Sequence, residues 1–159
     1  MRITVEKITP HSWLDRACEF TSGKHVTIDP YKMYRAEHSP IRTQLFAVRM
    51  YDIPTYVSTH FVRHKHGVEH FVKSNHNSKE PVDRNTPVNH MMFINAQALI
   101  NMARVRLCLK SDEVTRNVMV NIKWELVEVD QPLSNFLVPN CDYRGFCPEM
   151  KSCGKGVDG

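Results

Sequence analysis

Glycine is scarce in this chain, with six in 159 residues, and none of them belongs to a nucleotide-binding glycine motif. Because G-x-G-x-x-G and G-x-x-x-x-G-K-[ST] are both missing, a Rossmann fingerprint and a P-loop are excluded. Any bound nucleotide must therefore be held by side chains and helix ends. No run of about 18 apolar residues occurs, which excludes a membrane span. The N-terminus "MRITVEKITP" lacks the apolar stretch of a signal peptide, so a cytosolic location is expected.

Long blocks of basic residues are also missing, although the net charge is +4 with neutral histidines. This distribution argues against a nucleic-acid partner and suits small anionic ligands. The length and the apolar content of 42% are sufficient for a buried core. We predict a single domain over 1–159, in which 138–154 forms a Cys-rich C-terminal element.

The apolar pattern predicts an α+β fold, in which a small antiparallel or mixed sheet packs against long buried helices. A strand is predicted over 1–9 and a central strand over 42–53. A helix from Pro54, with Asp52 as candidate cap, is predicted to run until Gly67. The remaining predictions are a short helix over 11–20, a loop over 74–87, a long buried helix over 88–109, a helix over 111–129 capped by Ser111, and an irregular tail.

Polar residues interrupt the long buried helix. At about 100° per residue, Asn95 and Arg106 would lie on nearly the same line, about 16 Å apart along the axis. A buried arginine needs an anionic partner or a wet cleft, because an unpaired buried charge is costly. Two interpretations stay open for Arg106: an internal salt bridge to Glu113 or Glu125, or a ligand site.

The stretch "STHFVRHKHGVEHF", residues 58–71, contains four histidines. His60 and His64 have the i,i+4 spacing of metal ligands, but H-E-x-x-H is missing. The neighbouring Arg63 and Lys65 would repel a cation. A metal site, an anion-binding site and a solvated basic surface all remain possible, and the charge favours the anion.

Cysteines form a third group. Cys141, Cys147 and Cys153 follow one another at six-residue steps, and Cys108 could complete a set of four thiolate ligands. In a cytosolic chain this pattern indicates a structural zinc site. Reduced thiols packed in a core are the competing interpretation. A nucleophilic cysteine is disfavoured, since no general base stands beside any of them.

Together, "RHK" followed by a serine, the segment "INAQALINMARVRLC" and the Cys-rich tail resemble the flavin-dependent thymidylate synthases (ThyX). The resemblance runs from about Glu37 to Gly154 and is closest to the short members of phages and Gram-positive bacteria. The family signature is R-H-R, seven residues, then serine; here Arg-His-Lys at 63–65 is followed by eight residues and Ser74. The segment over 94–108 is the stronger match.

The resemblance implies a role for each matched residue. Arg106 would contact the uracil of dUMP and activate it electrostatically, and Ser74 would lie near the substrate. His60 and Arg63 would contribute to substrate binding. The resemblance assigns flavin binding to Arg63, His64, Lys65, Asn95 and Asn101.

The implied reaction transfers a methylene group from methylenetetrahydrofolate to C5 of dUMP. FAD, itself reduced by NADPH, would then reduce the transferred methylene group to a methyl group. No protein nucleophile would be required. The active site would form between subunits of a homotetramer. Where the family commonly has S-P-F-E-H, this chain has Ser-Pro-Ile-Arg-Thr at 39–43. Alternatives are a hydroxymethylated product, a nucleotide-binding protein without flavin, and a zinc-stabilised interaction module.

Overall fold

The computed structural model describes residues 1–73 and 81–155. Within these ranges four strands form one antiparallel sheet in the order β1-β2-β4-β3. The strands are β1 (Arg2–Lys7), β2 (Leu45–Pro54), β3 (Val68–Val72) and β4 (Pro87–Asn95). The helices are α1 (Ser12–Ser22), α2 (Pro30–Ala36), α3 (Thr55–Val62), α4 (Ala96–Arg106), α5 (Glu113–Ser134) and α6 (Asn140–Arg144), with a 3-10 helix at Ser39–Thr43. The predicted α+β class is confirmed.

The core lies between one face of the sheet and the helices. Alternate residues of β2 and β4 point into it, and Val48 pairs with Met92 as Phe46 pairs with Ile94. All four side chains are fully buried. The opposite face remains apolar in part, since Phe71 and Phe93 are 54% and 40% exposed with ring centroids 5.9 Å apart. No helix of the described ranges is long and apolar enough to span a membrane.

The long helix predicted over 88–109 is wrong in its first third. Residues 87–95 form β4, and the helix starts only at Ala96. Burial alternates along β4, as expected for a strand with one face in the core. Asn95 is the N-cap of α4, and its Oδ1 accepts a hydrogen bond of 2.9 Å from the Ala98 amide. Asn95 and Arg106 therefore mark the two ends of the helix, not one stripe along it.

The helix predicted until Gly67 ends at Val62, with Arg63 as its C-cap. The chain then turns and enters β3, a strand that the sequence pattern did not reveal. Gly67 makes this turn possible with a φ of 73°. The basic residues 63–65 accordingly lie in a connection between α3 and β3.

Two predicted caps are also wrong. Asp52 lies in β2 with a φ of 55°, where the register with β4 shifts, and Pro54 is the N-cap position of α3. In α5, Asp112 accepts from the Thr115 amide at 2.9 Å and is the cap in place of Ser111. The tail is not wholly irregular, because it includes α6.

A kink in α5 ties three elements together. The backbone of Asp130 leaves the helical conformation two residues before Pro132, which cannot donate a helix hydrogen bond. The buried Asp130 carboxylate accepts hydrogen bonds of 2.7 Å from Lys7 Nζ and 2.8 Å from the Tyr34 hydroxyl. Burial, followed by the charge of Asp130, raises the pKa of Tyr34 far above its ordinary value. The two hydrogen bonds to Asp130 thus hold β1 and α2 against α5.

Candidate functional site

Arg106 lies at the C-terminal end of α4 and reaches the connection after α3. Its Nε donates to His64 Nε2 at 3.0 Å, and its Nη2 donates to the backbone carbonyl of His60 at 2.5 Å. Burial and then the charge of Arg63 lower the pKa of Arg106. Within the described ranges no carboxylate pairs with Arg106, so the predicted salt bridge to Glu113 or Glu125 is not formed. The charge of the guanidinium is therefore available to an anionic ligand.

His64 is held in one protonation state by this contact. A guanidinium only donates, so His64 Nε2 must accept, and the imidazole is neutral with its proton on Nδ1. Burial, followed by the charge of Arg106, lowers the pKa of His64 to about 4. A neutral His64 can orient Arg106 without repelling it.

Three further side chains form a hydrogen-bonded chain that ends on the backbone of His64. His70 Nε2 lies 2.8 Å from the His64 carbonyl, His70 Nδ1 lies 2.9 Å from His90 Nε2, and His90 Nδ1 lies 3.0 Å from Ser58 Oγ. A carbonyl only accepts, so a neutral His70 must donate to it from Nε2. His90 then donates to His70, and Ser58 donates to His90. This relay fixes the tautomer of each member and supports the backbone beside Arg106.

His60 connects the same site to the start of α5. Its Nδ1 lies 2.8 Å from Thr115 Oγ1, and the Thr115 hydroxyl donates to Asp112 Oδ1 at 3.1 Å. The hydroxyl proton is used by Asp112, so His60 donates from Nδ1. Burial, followed by the charge of Arg106, lowers the pKa of His60. His64 has no lone pair left for a metal ion, because its Nε2 accepts from Arg106 and its Nδ1 carries the proton, whereas His60 keeps one on Nε2.

A cavity of about 380 Å³ opens between the α3–β3 connection and the start of α4, and Arg106, at the other end of α4, is not among its lining residues. The predicted flavin-binding residues Asn95 and Asn101 both line it. Its other lining residues are Arg42, His66, Gly67, Gln97 and Ala98. Amides, an imidazole and a guanidinium thus face one space, which suits a polar or anionic ligand.

A larger and more open cavity, of about 700 Å³, lies at the end of the sheet where β3, β4 and β2 meet. His70 and His90 of the relay line it, together with Arg49, Tyr51 and Lys73. The relay therefore connects this second cavity with the backbone of His64.

The structure brings together only some of the predicted site residues. Arg106, His64, His60 and Arg63 form one group, whereas Asn95 and Asn101 line a cavity to which none of these four contributes. Lys65 is exposed in the connection after α3. Ser74 lies outside the described residues. The four cysteines Cys108, Cys141, Cys147 and Cys153 lie elsewhere, around a cavity of their own.

The roles of Ser58, His70 and His90 were not evident from the amino-acid sequence. The two histidines lie on neighbouring strands, and the Ser58 hydroxyl comes from α3. The surplus of histidines over 58–71 was a signal for Ser58 and His70, but that segment does not include His90.

Gly67 shapes the cavity and gives a direct prediction. A Cβ at this position would lie 2.4 Å from Asn95 Nδ2, and φ is already +73°. Gly67→Ala should therefore displace Asn95 from its capping position and destabilise the chain by about 2–3 kcal/mol. Urea unfolding measures the loss.

Gly23→Ala is the matched control, because Gly23 has a φ of +67° but nothing within 4 Å of its added Cβ. It should cost only the left-handed backbone penalty of about 1 kcal/mol. Equal losses of stability in the two variants would contradict the predicted contact with Asn95.

Comparison with known proteins shows a likeness in fold only. No protein-family model matches the sequence, and no curated protein matches it at a significant level. Among solved structures, thymidylate synthase X (ThyX) from Helicobacter pylori with FAD and dUMP is 12% identical, with a TM-score of 0.74 over 86% of this chain and 99% of that chain. A second structure of the H. pylori enzyme with FAD and dUMP is also 12% identical, with a TM-score of 0.75 over 87% and 100%.

A third similar structure is the UMP/dUMP methylase PolB from Streptomyces cacaoi, bound with 5-Br dUMP. It is 12% identical, with a TM-score of 0.64 over 85% of this chain and 94% of that chain. The three alignments cover nearly the whole of each solved structure and most of this chain. The resemblance seen in the sequence is thus confirmed at the level of the fold: the chain has the fold of the flavin-dependent thymidylate synthases.

Proposed function

We propose that this protein is a flavin-dependent enzyme that converts dUMP to dTMP. Methylenetetrahydrofolate would be the one-carbon donor and NADPH the source of electrons. The observation that carries the proposal is the half-buried Arg106, held by an imidazole and a backbone carbonyl and paired with no carboxylate of the described ranges. Its fold is shared with structures that hold dUMP or 5-Br dUMP.

Arg106 would bind the uracil and stabilise the negative charge that develops on the ring as C5 becomes nucleophilic. A fixed cation in a partly dehydrated site stabilises such charge more strongly than water does. His64 aims the guanidinium, and its own neutrality keeps the full cationic charge available to the ring. Arg63, exposed at the end of α3, would hold phosphate through charge-assisted hydrogen bonds. The catalytic role of Ser74 stays a prediction.

The cavity at the start of α4 fits part of a flavin nucleotide. Asn95 uses its Oδ1 to cap the helix, which leaves its amide nitrogen as a donor, and Asn101 is exposed on the same wall. Arg42 and His66 add donors suited to a diphosphate or to the polar edge of a ring. When FAD is bound, it supplies hydride to the one-carbon unit. At about 380 Å³ the cavity takes only a portion of the cofactor, so the remainder would need further surface.

The open face of the sheet supports the proposal of a homo-oligomer, with four subunits as the resemblance implies. Leu45, Phe71 and Phe93 are all exposed on strands of this sheet. A second subunit covering these residues would remove apolar surface from water and could complete the flavin site.

A second candidate is a nucleotide-binding protein that does not retain flavin. In the 3-10 helix over Ser39–Thr43, Ile41 is fully buried and Arg42 is exposed, so this segment presents neither an acid nor a histidine. Flavin contacts that the resemblance places there are therefore missing, while Arg106 is unaffected.

The visible absorption spectrum separates the two candidates. The full chain is incubated with excess FAD and desalted, and dUMP binding is then measured by calorimetry. Retained flavin, followed by dTMP formation with methylenetetrahydrofolate and NADPH, is the expected result. Binding of dUMP by a colourless chain would favour the second candidate, and failure to bind either ligand would overturn both. Mass spectrometry of the product distinguishes a methyl from a hydroxymethyl group.

A further inference from the structure

Four of the five cysteines surround one small cavity, of about 70 Å³, between the end of α4 and the C-terminal tail. Cys108 follows α4, whereas Cys141 lies in α6 and Cys147 and Cys153 lie beyond it. None of the four is in a disulfide. The fifth cysteine, Cys18, lies on α1 and takes no part in this cavity. Chain folding thus gathers thiols that are distant in sequence.

The segment over 140–155 has no apolar core of its own. Not one of its residues is buried, and Tyr143 and Met150 are among its exposed side chains. Polar contacts attach it, among them a hydrogen bond of 2.7 Å from Lys110 Nζ to the Lys151 carbonyl. Exposed contacts of this kind contribute little stability. Short segments that bury little apolar surface are commonly held by a disulfide or a metal ion.

Three cations lie near the thiols, and each already pairs with a carboxylate: Arg104 with Glu37, Lys110 with Glu149 and Lys155 with Asp142. Arg104 lines the cavity, Lys110 follows Cys108 closely in the chain, and Lys155 lies 2.9 Å from Asp142 beside Cys141. A zinc ion with four thiolate ligands carries a net charge of −2, and these cations would offset it only by turning from their carboxylates toward the thiolates. Glu149 is the acidic member of the lining.

We propose that Cys108, Cys141, Cys147 and Cys153 bind one zinc ion that fastens the C-terminal tail to the end of α4. Zinc accepts four thiolates in a tetrahedron at about 2.3 Å. Each thiol releases its proton to water on binding, and no electron is transferred. Within the described ranges no three His, Cys, Asp or Glu side chains already lie close enough to hold an ion. Binding therefore draws the thiols inward, which the unburied tail permits.

The test is the metal content of the full chain, produced with added zinc and desalted under reducing conditions. We expect about one zinc per chain in the wild type and in Cys18→Ser, and a loss of most of it in Cys147→Ser. Absence of zinc from the wild type, or iron in its place, would overturn the proposal. Equal zinc in Cys147→Ser and the wild type would overturn it as well.

A spectroscopic measurement covers the case in which Cys147→Ser fails to fold. Wild-type chain is stripped of metal and titrated with Co²⁺, whose sulfur-to-metal charge-transfer band grows with the number of thiolate ligands. A band with the intensity of four thiolate ligands that saturates at one equivalent of Co²⁺ supports the proposal. A band with the intensity of only two thiolate ligands, or no band, contradicts it. Neither experiment depends on dUMP or flavin, so the outcomes of both are independent of the proposed enzymatic function.

Discussion

Arg106→Ala is expected to lower kcat/KM for dTMP formation by at least about 100-fold, the order of magnitude for removal of one preorganised donor from a charge-stabilising site. The variant should remain folded, because Arg106 is only half-buried and lies at the end of α4. It should also bind dUMP more weakly in calorimetry, since the cation that faces the ligand is gone. Arg106→Lys should recover only a small part of the activity, because lysine cannot contact His64 and the His60 carbonyl in the fixed geometry of the guanidinium.

Arg116→Ala is the matched control. This guanidinium lies at the start of α5 and donates to the backbone carbonyls of Leu109 and Ser111. Its removal changes charge by the same amount without touching the site, so turnover should stay within about twofold of the wild type. Full turnover in Arg106→Ala would rule out the assigned role, as would equal losses in the two arginine variants.

Acidification from pH 7 to 4.5 is expected to reduce the free energy of unfolding by about 3 kcal/mol. The reason lies in His64 and His90, whose pKa values are lowered to about 4 from an ordinary 6.5, in both cases mainly by burial. Their stabilising contribution is fully present above pH 6.5. As the pH falls below that value, the unfolded chain takes up these two protons first, and stability is lost progressively toward pH 4. The magnitude for His64 is reduced because water reaches part of the ring.

Urea unfolding at pH 7, 6, 5 and 4.5 measures this dependence. His90→Gln should flatten the slope, whatever it does to stability at pH 7, because it removes one of the two protonation sites. His38→Gln is the control, since the His38 side chain is exposed and makes no capping hydrogen bond, and it should leave the slope unchanged. A wild-type stability that is constant over this range, or an unchanged slope in His90→Gln, would contradict the relay as described.

The match of three polar residues to the family segment did not depend on a correct secondary structure. Asn95, Asn101 and Arg106 matched the family segment by position alone, although the segment was predicted as one helix and is a strand followed by a helix. In the structure Asn95 stands at the strand-to-helix junction, where a capping amide is favoured whatever precedes it, and the binding roles of the three residues stay predictions. Periodicity failed over 88–95, because a nearly continuous apolar run fits a buried helix as well as a strand.

The amino-acid sequence by itself determined the fold class, the exclusion of glycine-rich nucleotide motifs, and the family that the chain resembles. Local composition and spacing carry those properties. Only the tertiary structure decided that His64, and no acid of the described ranges, holds Arg106, and that Ser58, His70 and His90 form a relay. It also decided that Cys108 meets the tail cysteines around one cavity. These contacts join residues from different helices and strands, and their distances depend on how the sheet pairs and how the helices pack upon it.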